Sequence, residues 1–147
     1  MADEHDRAAT FIELLSPGDK LRLVCDWTER YYLQGRTVCI LLNDEGEADE
    51  LDSLLWTFRQ EAFIPHVRLE KAEEPVIEPV IIATGDPGEV ESDALILGSG
   101  DGLPEGFERF GRICDFAVVY DEGLRQASRD RFAACKNAGY HMRFVKG

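Results

Sequence analysis

Four side chains near the carboxyl end have types and spacing suited to chemistry. Arg125, Arg129, Phe132 and Lys136 are spaced i, i+4, i+7 and i+11, so on a helix three cations and one phenyl ring share a narrow stripe. Guanidinium groups hold carboxylates in bidentate fashion, and an aromatic-lined recess takes an apolar side chain. The stripe therefore suits a short acidic peptide with a hydrophobic anchor. The plainer alternative is that these arginines pair with local carboxylates such as Glu122 or Asp130, each exposed pair contributing about 0–1 kcal/mol. The residues alone leave both readings open. Arg131 falls on the packed side of the same helix and is assigned to an internal ion pair, with Asp115 as the candidate partner.

A second group lies in Leu51 to His66, LDSLLWTFRQEAFIPH. Leu51, Leu54, Leu55 and Phe58 give one buried helical face. Trp56 points off that face, and Phe63 lies beyond the helix, before Pro65. Either both rings fill the core of this chain, or they form a surface on which a partner docks.

Catalytic constellations do not assemble. His5, His66 and His141 lie in an expected tail, beside a proline and in a terminal strand, and none has a motif partner. His66 is expected to make a structural hydrogen bond, and Asp52 to bond within the fold. The glycine-rich run Gly98-Ser99-Gly100-Asp101-Gly102 fits neither the dinucleotide fingerprint, since its third glycine comes one residue early, nor a P-loop, which needs Gly-Lys followed by Ser or Thr. Asp101 would repel phosphate, so a flexible turn is the expectation. Cys25, Cys39, Cys114 and Cys135 are widely spaced without a C-x-x-C pair, which suits reduced core thiols better than zinc or disulfides. No cofactor and no metal are implied.

The 147 residues suit one domain, and 44% hydrophobic content with 10% aromatics argues against disorder. Residues 1–9 are read as a flexible N-terminal tail. Its beginning is acidic and lacks an apolar run, and no stretch approaches a membrane helix, so the expectation is a cytoplasmic protein without a membrane partner. A net charge of −13 argues against direct nucleic-acid binding, because phosphate contacts need a basic surface. The charge is uneven: residues 1–100 hold eight Lys or Arg against 22 Asp or Glu, and residues 101–147 hold eight against seven. The C-terminal third is the one candidate anion-binding region.

The elements that would position these groups alternate. Thr10 to Leu15 reads as a strand, and Ser16-Pro17 opens a helix with apolar face Leu21, Val24, Cys25, Thr28, Tyr31 and Tyr32, closed by Gly35. Thr37 to Leu42 is a strand apolar on both sides, as in parallel sheets. Asp44 and Glu47 form a capping box for the helix bearing Trp56. Further strands are expected at Val67 to Leu69, Pro79 to Ala83, Ala94 to Leu97, Arg112 to Val118 and Tyr140 to Val145, with a helical turn near Pro104 to Phe110. Asp121 caps the last helix, whose packed face is read as Leu124, Ala127, Ala134, Cys135 and Ala138. Such alternation predicts an α/β protein, a three-layer α/β/α sandwich with a mostly parallel, Rossmann-like sheet.

The chain resembles the chi subunit of bacterial DNA polymerase III, a clamp-loader accessory protein. The resemblance rests on Gly35-Arg36-Thr37-Val38 entering a strand, Leu51-Asp52 through Leu55-Trp56, Phe63-Ile64-Pro65-His66, Phe110 through Phe116, and Arg129 through Tyr140. It departs from that family at Thr10-Phe11-Ile12-Glu13, which lacks the usual Phe-Tyr pair, and at Gly98-Ser99-Gly100, which replaces a more apolar strand ending. The resemblance implies a non-catalytic subunit that binds the acidic C-terminal tail of single-stranded DNA-binding protein, with Arg129 and Phe132 matching tail-binding positions. Ala133 stands where that family is expected to carry a lysine, with Arg125 or Lys136 in reach to replace it. It further implies psi, the small subunit linking chi to the clamp loader, as the partner at Trp56 and Phe63, a patch that could equally serve another replication or repair protein. Two other classes remain open from the residues: a small cytoplasmic nucleotide-binding enzyme using Gly98 to Gly102, and a self-associating protein that buries Trp56 and Phe63 in a homodimer.

Overall fold

The computed structural model describes residues 7–59, 63–74, 76–98 and 102–147. Seven strands form one sheet: β1 (Ala8–Leu14), β2 (Val38–Leu42), β3 (His66–Arg68), β4 (Val80–Thr84), β5 (Ala94–Leu97), β6 (Arg112–Val118) and β7 (His141–Val145). Their spatial order is β3-β4-β2-β5-β6-β1-β7, and every pairing is parallel. Parallel strands must be covered on both faces, and all five residues of β2 are accordingly buried. Helices α1 (Lys20–Leu33) and α2 (Glu45–Thr57) cover one face, and α3 (Glu122–Asn137) with the loops around Phe107 and Phe110 covers the other. The result is the three-layer α/β/α arrangement read from the alternation of elements.

The local signals place the elements well. Ser16 accepts a hydrogen bond from Gly18 N, but Pro17 opens a short 3-10 turn and α1 starts only at Lys20. Gly35, at φ +77°, lets the chain leave α1 in the left-handed region that a side chain disfavours. Asp44 Oδ1 accepts from Glu47 N at 2.8 Å, and Glu47 Oε1 accepts in return from Asn43 N, one residue earlier than a capping box prescribes. The last two positions of the tail expected over residues 1–9 belong instead to the sheet. Ala8 and Ala9 are buried in β1, and Arg7 O accepts from His141 N, because alternate β1 residues must fill both layers of core. The first six residues, His5 among them, and Ser99 to Asp101 of the glycine-rich run lie outside the described residues.

Helix α3 docks through a buried polar contact. Arg131, 6% exposed, donates from Nε to Asp115 Oδ2 at 2.7 Å, and Asp115 on β6 is wholly buried. Ser128 adds a second tie: its hydroxyl donates to Phe116 O at 2.8 Å and accepts from Val118 N at 3.2 Å. Burial pushes the Asp115 carboxyl up, against the opposing pull of Arg131 and of the Phe116 N–H. Removing one partner leaves a desolvated charge without compensation. Asp115→Ala is therefore expected to cost about 3–5 kcal/mol in urea denaturation, whereas the double change Asp115→Leu with Arg131→Met recovers most of that loss. Equal destabilisation by the single and double variants would show that the pair's charge is not what matters.

Candidate functional site

Two surfaces collect the residues singled out by the sequence, one at each edge of the sheet. The first is a cleft of about 380 Å³ between α3 and the carboxyl ends of β1, β6 and β7. Arg125, Arg129 and Phe132 line it from the helix, and Phe11, Val119 and Phe144 from the strand side. Phe132 is half-buried because its ring meets Phe11 edge-on at 5.1 Å, so it forms an apolar floor rather than a free finger. Arg125 and Arg129 are exposed, and among the described residues neither makes an ion pair; Asp130 instead accepts from Gln126 at 3.0 Å. The local-pairing alternative thus finds no support here. Glu13 is the one carboxylate among these lining residues.

The remaining stripe positions fall outside the cleft. Lys136 is exposed one turn beyond Phe132, and Ala133 is exposed on the outer side of the helix, so neither lines the cavity. Leu124 was expected on the packed face but is 38% exposed: the packed stripe is Ser128, Arg131 and Cys135, and the helix meets the sheet only after its first turn. Sequence reasoning missed Phe11, Glu13, Val119, Ser128 and Phe144. Phe144 is placed by the sequence in the expected last strand, Tyr140 to Val145, without a role. Its partners in the cleft depend on a strand order that the sequence does not state.

The second surface lies at the end of α2 beside β3. Trp56 is 48% and Phe63 66% exposed, with ring centroids 5.4 Å apart. Trp56 also packs on His66 at 4.3 Å. His66 is buried between two acceptors, Ile64 O at 2.8 Å from Nδ1 and Asp52 Oδ1 at 2.7 Å from Nε2, which are the structural bonds expected of His66 and Asp52. Arg68, the last residue of β3, reaches Glu45 and Asp49 on α2 and Glu70. These ties fix α2 against β3 and hold the two rings outward rather than in the core. The result is an exposed pair of aromatic rings held in fixed positions on the surface.

A third recess sits where open α/β sheets bind nucleotides, at the carboxyl edge between β5 and β6. It measures about 100 Å³, too small for a nucleotide, and Lys20 at its wall is already held by Glu47 at 2.6 Å and Gly98 O at 2.7 Å. Among the described residues no cluster of His, Cys, Asp or Glu is suited to a metal, and no helix is long and apolar enough to cross a membrane. All four cysteines are free and buried, and burial pushes the thiols of Cys25, Cys39 and Cys135 up to about 12.

Known proteins resemble the chain along nearly its whole length. The sequence profile of the family described as DNA polymerase III chi subunit, HolC, matches residues 7–143. DNA polymerase III subunit chi of Pseudomonas aeruginosa is 36% identical over 126 residues, 86% of this chain and 85% of that protein. The Escherichia coli subunit chi is 28% identical over 121 residues, 82% of this chain and 81% of that protein. Among solved structures, the C-terminal domain of the DEAD-box protein Dbp5 superposes with a TM-score of 0.59 at 15% identity, covering 98% of this chain and 92% of that one. Dbp5 from S. cerevisiae bound to RNA and ADP BeF3 superposes with a TM-score of 0.60 at 12% identity, covering 99% of this chain and 44% of that one. At such identities the likeness concerns the α/β fold alone.

The exposure of the aromatic pair sets its energetic role. Trp56→Ala and Phe63→Ala are each expected to change folding free energy by no more than about 1 kcal/mol in urea denaturation, since neither ring fills the core. Leu51→Ala, in the same helix but fully buried, is expected to cost about 2–5 kcal/mol. A Trp56 variant as unstable as the Leu51 variant would make the ring a core residue.

Proposed function

The chain belongs to the DNA polymerase III chi subunit family, and on that premise we propose that it is a non-catalytic accessory subunit bridging the clamp loader to DNA coated with single-stranded DNA-binding protein. In this reading the α3 cleft takes the acidic C-terminal tail of single-stranded DNA-binding protein, with Arg125 and Arg129 on its carboxylates and the Phe11–Phe132–Phe144 floor on its terminal apolar residue. Lys136 and Ala133 stand at the margin, where a tail longer than the cleft would pass. Trp56 and Phe63 dock psi, or another replication or repair protein where psi is absent. The protein works in the cytoplasm and touches DNA only through its partners.

The observation that carries this reading is the cleft itself. Two arginines that make no ion pair among the described residues flank an apolar recess on a chain of net charge −13. Long-range repulsion from the acidic surface opposes an acidic ligand, so attraction must be local and sensitive to salt. Placement supports the adaptor role as well. The aromatic patch sits by β3 and the cleft by β7, the two ends of a seven-strand order, roughly 29 Å apart at about 4.8 Å per strand step.

A fluorescent acidic peptide ending in Phe with a free carboxylate tests the cleft. Arg129→Glu and Phe132→Ala should each weaken binding by about 1–3 kcal/mol, and Glu13→Gln should strengthen it by removing the one negative charge of the lining. Unaltered affinity in the two weakening variants would remove the assignment. For the aromatic patch, Trp56→Ala should abolish capture of psi in a pull-down while leaving peptide affinity unchanged; undiminished capture would place that contact elsewhere.

A further inference from the structure

The sheet ends at β7, and the described residues place no strand beyond it. His141 N donates to Arg7 O, so His141, Arg143 and Val145 turn their backbone groups toward β1, and alternation turns the N–H and C=O of Met142 and Phe144 toward the open edge. Four of the five residues of β7 are exposed, with Phe144 at 55%. Phe144 belongs at once to this edge and to the α3 cleft. The cleft and the edge are therefore one continuous surface.

Its charge is also distinctive. From Arg131 to Gly147 the chain carries Arg131, Lys136, Arg143 and Lys146 and no Asp or Glu. Arg131 is used internally; Lys136, Arg143 and Lys146 are exposed and make no ion pair among the described residues. A second copy of the chain paired edge to edge would bring these cations together, which disfavours self-association. An acidic extended segment has the complementary charge.

We propose that the acidic peptide held in the α3 cleft continues along β7 as an eighth, parallel strand of the sheet. The inference rests on the cleft reading above and adds to it a backbone-recognised extension. With the peptide's terminal carboxylate at Arg125 and Arg129, near the carboxyl end of β7, the preceding residues run back toward His141, so the peptide has the direction of β7 itself. From Phe144 back to His141 the edge spans roughly 10 Å, enough for about three residues. Lys136 lies one turn from Phe132 toward that amino end, where upstream carboxylates arrive. Main-chain bonds to Met142 and Phe144 set the register and demand no particular side chain, while the cations select acidity.

Two fluorescent acidic peptides ending in Phe with a free carboxylate test this, one confined to the cleft and one lengthened at its amino end by about five residues. The longer should bind the intact protein about tenfold tighter. Met142→Pro, which removes an outward N–H from an edge strand, should erase that gain and leave the short peptide's affinity unchanged. Alternate N-methylation of the extension should erase it on the unmodified protein, which decides the matter even where the proline variant folds poorly. Equal affinity of the two peptides, or a gain that survives N-methylation, would overturn the proposal. So would a dimeric mass in solution that Met142→Pro reduces to monomer. Indifference of the short peptide to Arg129→Glu would sink the cleft reading, and this extension with it, by a separate measurement.

Discussion

The ion pair between Asp115 and Arg131 is the contact on which the cleft depends. It joins the middle of α3 to β6 with both charges out of water, and Ser128 adds two hydrogen bonds to the same strand. A polar contact of this kind contributes little net stability over an apolar one of similar volume, but it tolerates few alternative alignments. Rotating α3 by one residue would strand both charges. The rotation that satisfies Arg131 is the one that turns Arg125 and Arg129 outward and lays Phe132 on Phe11. The exposed cations are thus set by a buried one.

The same economy governs the other edge. Arg68 and His66, both buried and on the same side of β3, engage carboxylates on α2 and fix that helix against the strand. Leu51 and Leu55 fill the core beneath, and Trp56, one residue on, has no room there. It comes to rest across His66, where its ring gains partial cover without losing its outward face.

Much of this was legible in the residues. The β2 sequence Val-Cys-Ile-Leu-Leu can only be a strand covered twice, the Asp44 and Asp121 caps mark the starts of α2 and α3, and the helical angle of Arg131 sets it apart from its arginine neighbours. What stayed hidden depends on the order of strands. Phe11, Glu13 and Phe144 meet because β1 lies between β6 and β7, a neighbourhood that sequence distance does not suggest. Leu124 was misplaced for a related reason: periodicity gives its angle around α3 but not where along the axis the sheet begins.

Strand order also decides how two candidate surfaces on a small domain could act together. A site at β3 and a site at β7 share no side chain, and five strands of closely packed core lie between them. Coupling between distant sites needs an element with two arrangements that both ligands bias. Among the described residues the sheet shows no such element: β2 and β5 are buried throughout, and α3 is held to β6 by the buried Asp115–Arg131 pair. Ligands at the two edges, were they to bind as proposed, would do so with independent free energies, and the molecule would act as a rigid spacer whose length is the width of its sheet.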